Sequence, residues 1–380
     1  MRIAYLSDER FPSTHTDTQQ VALTLDALHA QGAEVELIAP TMPGLVDQDQ
    51  AMQHFYGVGP LPTRWLRSVD PERRGLVKLL HGGRALAYLS SRRPDVVLTR
   101  GLHLALAALA AGHRVAFESY RVAGRAHPRL TWLVARAAQT PRLLGVITHS
   151  RLSARAFLRL GLPEERVAVI KNGVAFRHLE PRLDVAQARA QLGLAGPLVV
   201  YAGHVMPNKG LEALAEVAAL TPELHHLWVG GDGEGSAGWG RALCRDLPQV
   251  RVTGWRRAPE LAPYLYAADA LVVPPSRDPL ERHGNTVLPM KLYGYLGSGR
   301  PIVAPALPDI AELLCHDDTA WLFPPDDTRA AARALRRVVA DEALGRRLGE
   351  AGLALARQHT WTARAGALLE FLEERLEATR

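Results

Sequence analysis

The chain has 380 residues and a mass of 41.5 kDa, with 47% hydrophobic and 22% charged residues. At about 100–200 residues per domain this length predicts two domains with sizeable cores, and the composition excludes disordered, collagen-like and coiled-coil classes. The two cysteines, Cys244 and Cys315, sit in no metal-type or paired spacing; a disulfide framework and a structural zinc site are excluded, and a reducing, cytoplasmic compartment fits.

The first strand is expected at Arg2–Ser7, followed by a polar loop and a helix over Gln19–Gln31 that Gly32 stops. A second strand follows at Glu34–Ala39. This β–loop–α–β unit opens a doubly wound parallel sheet. Further buried strands are expected at Val96–Leu98, Val115–Phe117, Val146–Thr148 and Val167–Ile170, with a helix over Arg151–Leu160 capped by Gly161. A polar, irregular stretch from Asn172 to Pro181 reads as a linker. The pattern then restarts: strand Leu198–Ala202, loop Gly203–Lys209, helix Gly210–Leu220. Strands at Leu227–Gly231, Val250–Thr253, Ala270–Pro274 and Pro301–Ala304 come next, and an amphipathic helix over Thr360–Thr379 ends the chain. The expected fold class is α/β, with two tandem Rossmann-like domains facing across a cleft that holds the ligand.

The net charge of +6 is uneven: residues up to Glu180 carry 23 Lys+Arg against 15 Asp+Glu. Only Lys78, Lys171, Lys209 and Lys291 are lysines. The basic half faces a polyanion or an anionic membrane surface, or simply reflects arginine bias. Within it, the basic segment Arg64–Arg93 reads either as a helix lying on an anionic membrane or as a solvated helix with a buried face. No apolar run reaches the roughly 18 residues that span a bilayer, and Asp8, Glu9 and Arg10 come too early for a secretory signal. A cytoplasmic protein, with peripheral contact to the inner membrane face, is the expectation.

Two stretches carry chemistry. In Tyr201-Ala-Gly-His-Val-Met-Pro-Asn-Lys-Gly210 a strand ends, a loop holds His204 and Lys209, and a helix begins; free N–H groups and the positive helix end suit a phosphate. In Gly284–Ala304 a Gly/Asn/Thr loop precedes a helix with Lys291 in its first turn. Two such sites would clamp a pyrophosphate and stabilise the charge of a departing nucleoside diphosphate without a metal. Asp47-Gln-Asp49 matches a DxD metal motif but lies in a polar loop, so no metal is expected there. Gly230-Gly-Asp-Gly-Glu-Gly235 lacks a Gly-Lys-Ser/Thr ending and reads as a turn after a strand. No nucleic-acid motif is present.

These stretches, with Ile147–Ser150, Val169–Val174, Val229–Glu234, Val252–Trp255, Tyr264–Asp269, Pro289–Tyr293, Gly299–Ala304 and Thr360-Trp361, follow one another in a familiar order. In that order the chain resembles the GT-B glycosyltransferases of the family 4-like, group 1 kind, a large retaining family that includes sucrose synthases and transferases of cell-surface glycans. The resemblance implies an acceptor-binding domain over 1–178, a nucleotide-sugar domain over 179–358, and a helix over 359–380 crossing back to the first domain. It implies a hexosyltransferase moving sugar from a nucleotide diphospho-sugar to a hydroxyl of a glycan, a lipid-linked or a small-molecule acceptor, with no cofactor. Lys209 is then catalytic and donor-binding, beside His204 where the family often has arginine, and Glu118 and Tyr120 are the other catalytic candidates. Gly254, Trp255 and Arg256 face the base, while Asn285, Thr286, Val287, Leu288 and Lys291 face phosphates and sugar. Arg10, Ser13, Thr14 and His15 face the acceptor.

The departures from the family are specific. Its paired glutamates fall on Thr286 and Gly294, so both carboxylates are absent, including the one that holds the ribose. Its Gly-Gly loop after the first strand is Ser13-Thr-His-Thr-Asp-Thr18. Its catalytic-region histidine falls on Tyr120, within Phe117-Glu-Ser-Tyr-Arg121. Glu118, the one acid there, is either a polar ligand of the acceptor or a strand-end carboxylate with a protein partner. A relative that has lost activity along with its glutamates is the alternative reading.

Overall fold

A computed structural model describes residues 1–67, 74–119, 128–231, 233–278, 281 and 288–379. The chain divides into two compact units, Met1–Asn172 with Trp361–Arg380, and Gly173–Thr360.

The first unit contains β1 (Arg2–Leu6), α1 (Thr16–Ala30), β2 (Glu34–Pro40), α2 (Gln48–Tyr56), β3 (Thr63–Leu66), α3 (Arg74–Arg92), β4 (Val96–Thr99) and α4 (Leu102–Ala110). It continues with β5 (Val115–Ser119), α5 (Pro128–Ala137), β6 (Leu143–Thr148), α6 (Arg151–Arg159) and β7 (Val167–Val169). The strands form one parallel sheet in the order β3-β2-β1-β4-β5-β6-β7, so the winding reverses between β1 and β4. β1, β4 and β6 are almost continuous apolar runs because helices bury both sheet faces.

The second unit contains α7 (Val185–Leu192), β8 (Leu198–Ala202), α8 (Leu211–Leu220), β9 (His225–Val229), α9 (Gly233–Leu243), β10 (Val250–Gly254), α10 (Ala262–Tyr266) and β11 (Ala270–Val272). α11 (Lys291–Ser298), β12 (Ile302–Pro305), β13 (Trp321–Phe323), α12 (Thr328–Ala340) and α13 (Glu342–Gln358) follow. Its parallel sheet runs β10-β9-β8-β11-β12-β13 and reverses between β8 and β11. Alternation along β8 feeds two cores. Leu198, Val200 and Ala202 pack on one face, and Val199 and Tyr201 on the other.

The closing helix, α14 (Trp361–Glu377), belongs to the first unit, where it packs along α1. Gly145 makes room for it, since a Cβ there would lie 2.6 Å from the Phe371 ring. Arg364 is its anchor. This buried guanidinium is ion-paired with buried Glu118 and donates to the carbonyls of Ile170 at 2.6 Å and Lys171 at 3.2 Å. The unit boundary falls at 172/173 because Val174 and Leu179 join the second core and the Val174 N–H bonds the His359 carbonyl at 2.7 Å.

Two sequence expectations change, both of them about local structure: the basic segment is in part a strand, and the DxD-like pair, read as a polar loop, opens a helix. Arg64–Leu66, read as the start of a basic helix, lies in β3. There the Trp65 indole N–H donates to Asp49 at 2.8 Å. The DxD-like pair is structural: the Asp47 carboxylate caps α2 at the Gln50 N–H, and Asp49 also accepts from the Thr63 hydroxyl at 2.5 Å. Among the described residues no group of three acidic, histidine or cysteine side chains could hold a metal ion.

Candidate donor-diphosphate site

In open α/β sheets the crevice for ligands lies at the carboxyl ends of the strands where the winding reverses. In the second unit that place is the end of β8 and β11. Gly210 precedes α8 with φ +76°, and a Cβ on it would come within 2.9 Å of Ser276 and 3.1 Å of Pro274. The α8 N-terminus is thereby pressed against the loop that follows β11. The N-cap residue, Gly210, makes no side-chain cap bond, and the first N–H groups and positive dipole end of α8 suit an anion. Lys209 immediately precedes this end.

Lys291 arrives from the other side. It opens α11, one turn before Tyr295, and the two share a helix face. The Tyr295 hydroxyl accepts the Ala202 N–H at 2.7 Å and donates back to carbonyls of Ala202 and Val272, which latches α11 to the ends of β8 and β11. The Lys291 Nζ therefore lies 3.9 Å from the centre of the Tyr201 ring. A Cβ on Gly203 would stand 2.6 Å from Nζ and would push the amine aside. Burial, and then the charge of Lys209, lower the Lys291 amine from 10.5 to about 7. Two amines whose charges oppose each other, one of them desolvated, form an electrostatic deficit that an anion relieves.

The neighbouring loops are stitched into the same end of the sheet. Gly203 N–H donates to Val229, Gly230 bridges Gly254, and Trp255 N–H donates to Gly231 at 3.0 Å. Gly254, Trp255 and Arg256 are half-buried here, with the Arg256 Nε–H donating to the Tyr264 hydroxyl at 3.0 Å. The Tyr201 hydroxyl donates to the His204 carbonyl at 2.8 Å, which fixes the turn before Lys209. Thus Lys209, His204, Lys291 and 254–256 come together within one unit. Leu288 is fully buried in the core, which leaves only its backbone for a ligand. Asn285, Thr286, Val287 and Tyr120 lie outside the described residues.

In the first unit, Glu118 is no open carboxylate. Besides Arg364 it accepts from Gln20 at 2.8 Å, His149 at 3.1 Å and Tyr5 at 3.3 Å. Burial alone would raise it, but Arg364, the His149 hydrogen bond and Arg100 hold it well below the carboxylate range. Of the two sequence alternatives, the geometry supplies the partnered one: the committed partners leave it to anchor α14. The Ser13 N–H donates to the Tyr56 hydroxyl at 2.7 Å and its side chain meets Thr18 at 2.9 Å, so Ser13 builds the turn into α1. His15 is exposed beside that turn, and Arg10 and Thr14 are half-buried in the same loop. Sequence reasoning missed Asp8 and His103, which follow β1 and β4 on either side of the reversal and pair at 3.5 Å. Only the strand order, which no motif announced, brings them together.

Two family models match the chain: "Glycosyltransferase Family 4" over residues 19–177 and "Glycosyl transferases group 1" over residues 196–341. A lipopolysaccharide core biosynthesis glycosyltransferase, LpsE of Rhizobium meliloti, is 31% identical over 173 residues, covering 44% of this chain and 47% of that protein. The aligned stretches span about half or less of the curated relatives' own length. Among solved structures, sucrose-phosphate synthase from Thermosynechococcus elongatus superposes with a TM-score of 0.79 at 21% identity, covering 99% of both chains. Anabaena HepE, solved with UDP-glucose, superposes at 0.76 and 16% identity, covering 98% of this chain and all of that one. In its two parallel α/β sheets and in the family models that match both units, the chain belongs to the GT-B, family 4-like glycosyltransferases of group 1.

Proposed function

We propose that the chain transfers a sugar from a nucleotide diphospho-sugar to an acceptor hydroxyl, with retention at the anomeric carbon and without a metal. The observation that carries this reading is the Lys291 amine over the Tyr201 ring at the end of β8, depressed by burial and by the charge of Lys209, which directly precedes α8. A leaving diphosphate gains charge as the C1–oxygen bond breaks, and fixed amines and N–H dipoles meet that charge with no reorganisation. In the front-face course, the acceptor oxygen bonds C1 on the side the diphosphate leaves. Its proton passes to a diphosphate oxygen. No protein nucleophile is required.

The nucleotide-sugar donor is supported by HepE, whose structures hold UDP and UDP-glucose. A cell-surface glycan acceptor is supported by the name of LpsE. Lys209→Ala tests the site: nucleoside diphosphate affinity should weaken by about 1.5–3 kcal/mol, the scale of a charge-assisted hydrogen bond. Unchanged affinity removes Lys209 from the site.

One observation favours a second reading, a binding relative without turnover. Gly294 stands where the family's ribose carboxylate is expected, and among the described residues a Cβ there meets only Leu265, at 3.8 Å. Packing does not force the glycine, so the carboxylate was free to be lost. Nucleotide binding without sugar transfer or hydrolysis would establish that reading.

A further inference from the structure

From Val96 to Pro163 the chain carries ten arginines and one acidic residue, Glu118. That single carboxylate is buried on Arg364, so nothing acidic from this stretch offsets its exposed arginines, among them Arg129, Arg136, Arg151 and Arg155. Within it, α5 turns one stripe to solvent: Arg129, Trp132, Leu133 and Arg136, spaced as one helical face. Trp132 is 53% and Leu133 43% exposed, whereas Thr131, Val134 and Ala135 on the other side are buried. The Arg136 guanidinium lies 5.9 Å from the centre of the Trp132 ring. α5 packs against α4, which carries no acidic residue and in turn packs against α3, where Leu80 is also 40% exposed.

We propose that this α5 stripe docks the chain on an anionic lipid bilayer. Trp132 and Leu133 enter the headgroup–acyl boundary while Arg129 and Arg136 pair with lipid phosphates. A tryptophan beside arginines suits that boundary, where an apolar ring body meets water and negative charge. A soluble polyanion would engage the arginines but gives Leu133 and Trp132 no apolar phase. The membrane segment expected from sequence, Arg64–Arg93, is a different place. Its first residues are strand β3, and Arg73 and the side chains of Arg74 and Lys78 lie outside the described residues. Docking through α5 does not depend on the proposed chemistry.

The test is co-sedimentation of the full chain with phosphatidylcholine vesicles, with or without an equal part of phosphatidylglycerol. Binding should require phosphatidylglycerol and weaken between about 0.1 M and about 1 M salt, as the Debye length falls from about 10 to about 3 Å. Arg129→Gln with Arg136→Gln should lower partitioning about 25-fold, from about 1 kcal/mol per charge. Trp132→Ser with Leu133→Ser should lower it about tenfold or more at low salt. All four side chains are exposed, so melting temperatures should not move. No binding to anionic vesicles overturns the proposal, as does equal binding by both double variants. Retention on soluble polygalacturonate without vesicle binding also overturns it, and assigns the arginines to an anionic polymer instead.

Discussion

Raising the pH should loosen a nucleoside diphosphate from this chain, across a window set by Lys291. In the free protein burial and Lys209 bring its amine to about 7, so near neutrality about half the molecules hold it uncharged. A bound diphosphate favours the charged form and pulls the amine back up, so binding takes up a proton. If the ordinary value of 10.5 is fully restored, linkage gives a loss of affinity of about 50-fold between about pH 7 and about pH 9. If half the shift is restored, the loss is about 20-fold. The assay is calorimetric titration with UDP at three pH values, in two buffers of different ionisation enthalpy, which counts the protons taken up. Lys291→Met should bind more weakly at pH 7 and lose the slope. A flat affinity in the wild type, or the same slope in Lys291→Met, refutes the assignment.

Gly203→Ala should mimic loss of the amine, because its Cβ would press within 2.6 Å of Lys291 Nζ; UDP affinity should fall about tenfold in calorimetry at pH 7. Arg364→Met leaves Glu118 buried without its ion partner and should cost about 3–5 kcal/mol in urea unfolding, with Arg364→Met plus Glu118→Met together costing less than the single change. Acid should weaken the first unit: burial lowers His149 from 6.5 to about 4, so the native state prefers it neutral. That stability is complete above about pH 6.5 and declines as pH falls toward about 4, by about 2 kcal/mol from pH 7 to pH 5 in denaturant midpoints, and His149→Asn should flatten the decline. Gly294→Glu should be accommodated and should raise melting, since glycine inside a helix costs about 1 kcal/mol, and it should strengthen UDP binding if the ribose lies above α11.

Most of the strands were legible because buried parallel strands are nearly continuous apolar runs: β1, β2, β8 and β10 begin at the residues where the apolar pattern places them. β3 and β13 were not legible. They are short edge strands in which Arg64 is exposed and Trp65, Trp321 and Leu322 are only half-buried, so no apolar run marks them. The donor side of the site was legible through loop-then-helix phrasing and two rare lysines. The depth of Lys291 was not, because it depends on the Tyr295 latch and on the absent side chain of Gly203, contacts between segments about 90 residues apart. Glu118 shows the converse. Its place at a strand end was readable, but its partner Arg364 lies 246 residues onward and no local pattern joins them. Asp8 and His103 needed the strand order itself.

The most direct measurement is a titration of the wild type and of Lys209→Ala with Lys291→Met against UDP, GDP, ADP and dTDP at about pH 7. The diphosphate site predicts that the wild type binds at least one of these, more tightly than the matching monophosphate, and that the double variant loses that difference while melting as the wild type does. Binding by no nucleotide, or a diphosphate preference that survives loss of both lysines, would contradict a donor site at the ends of β8 and β11.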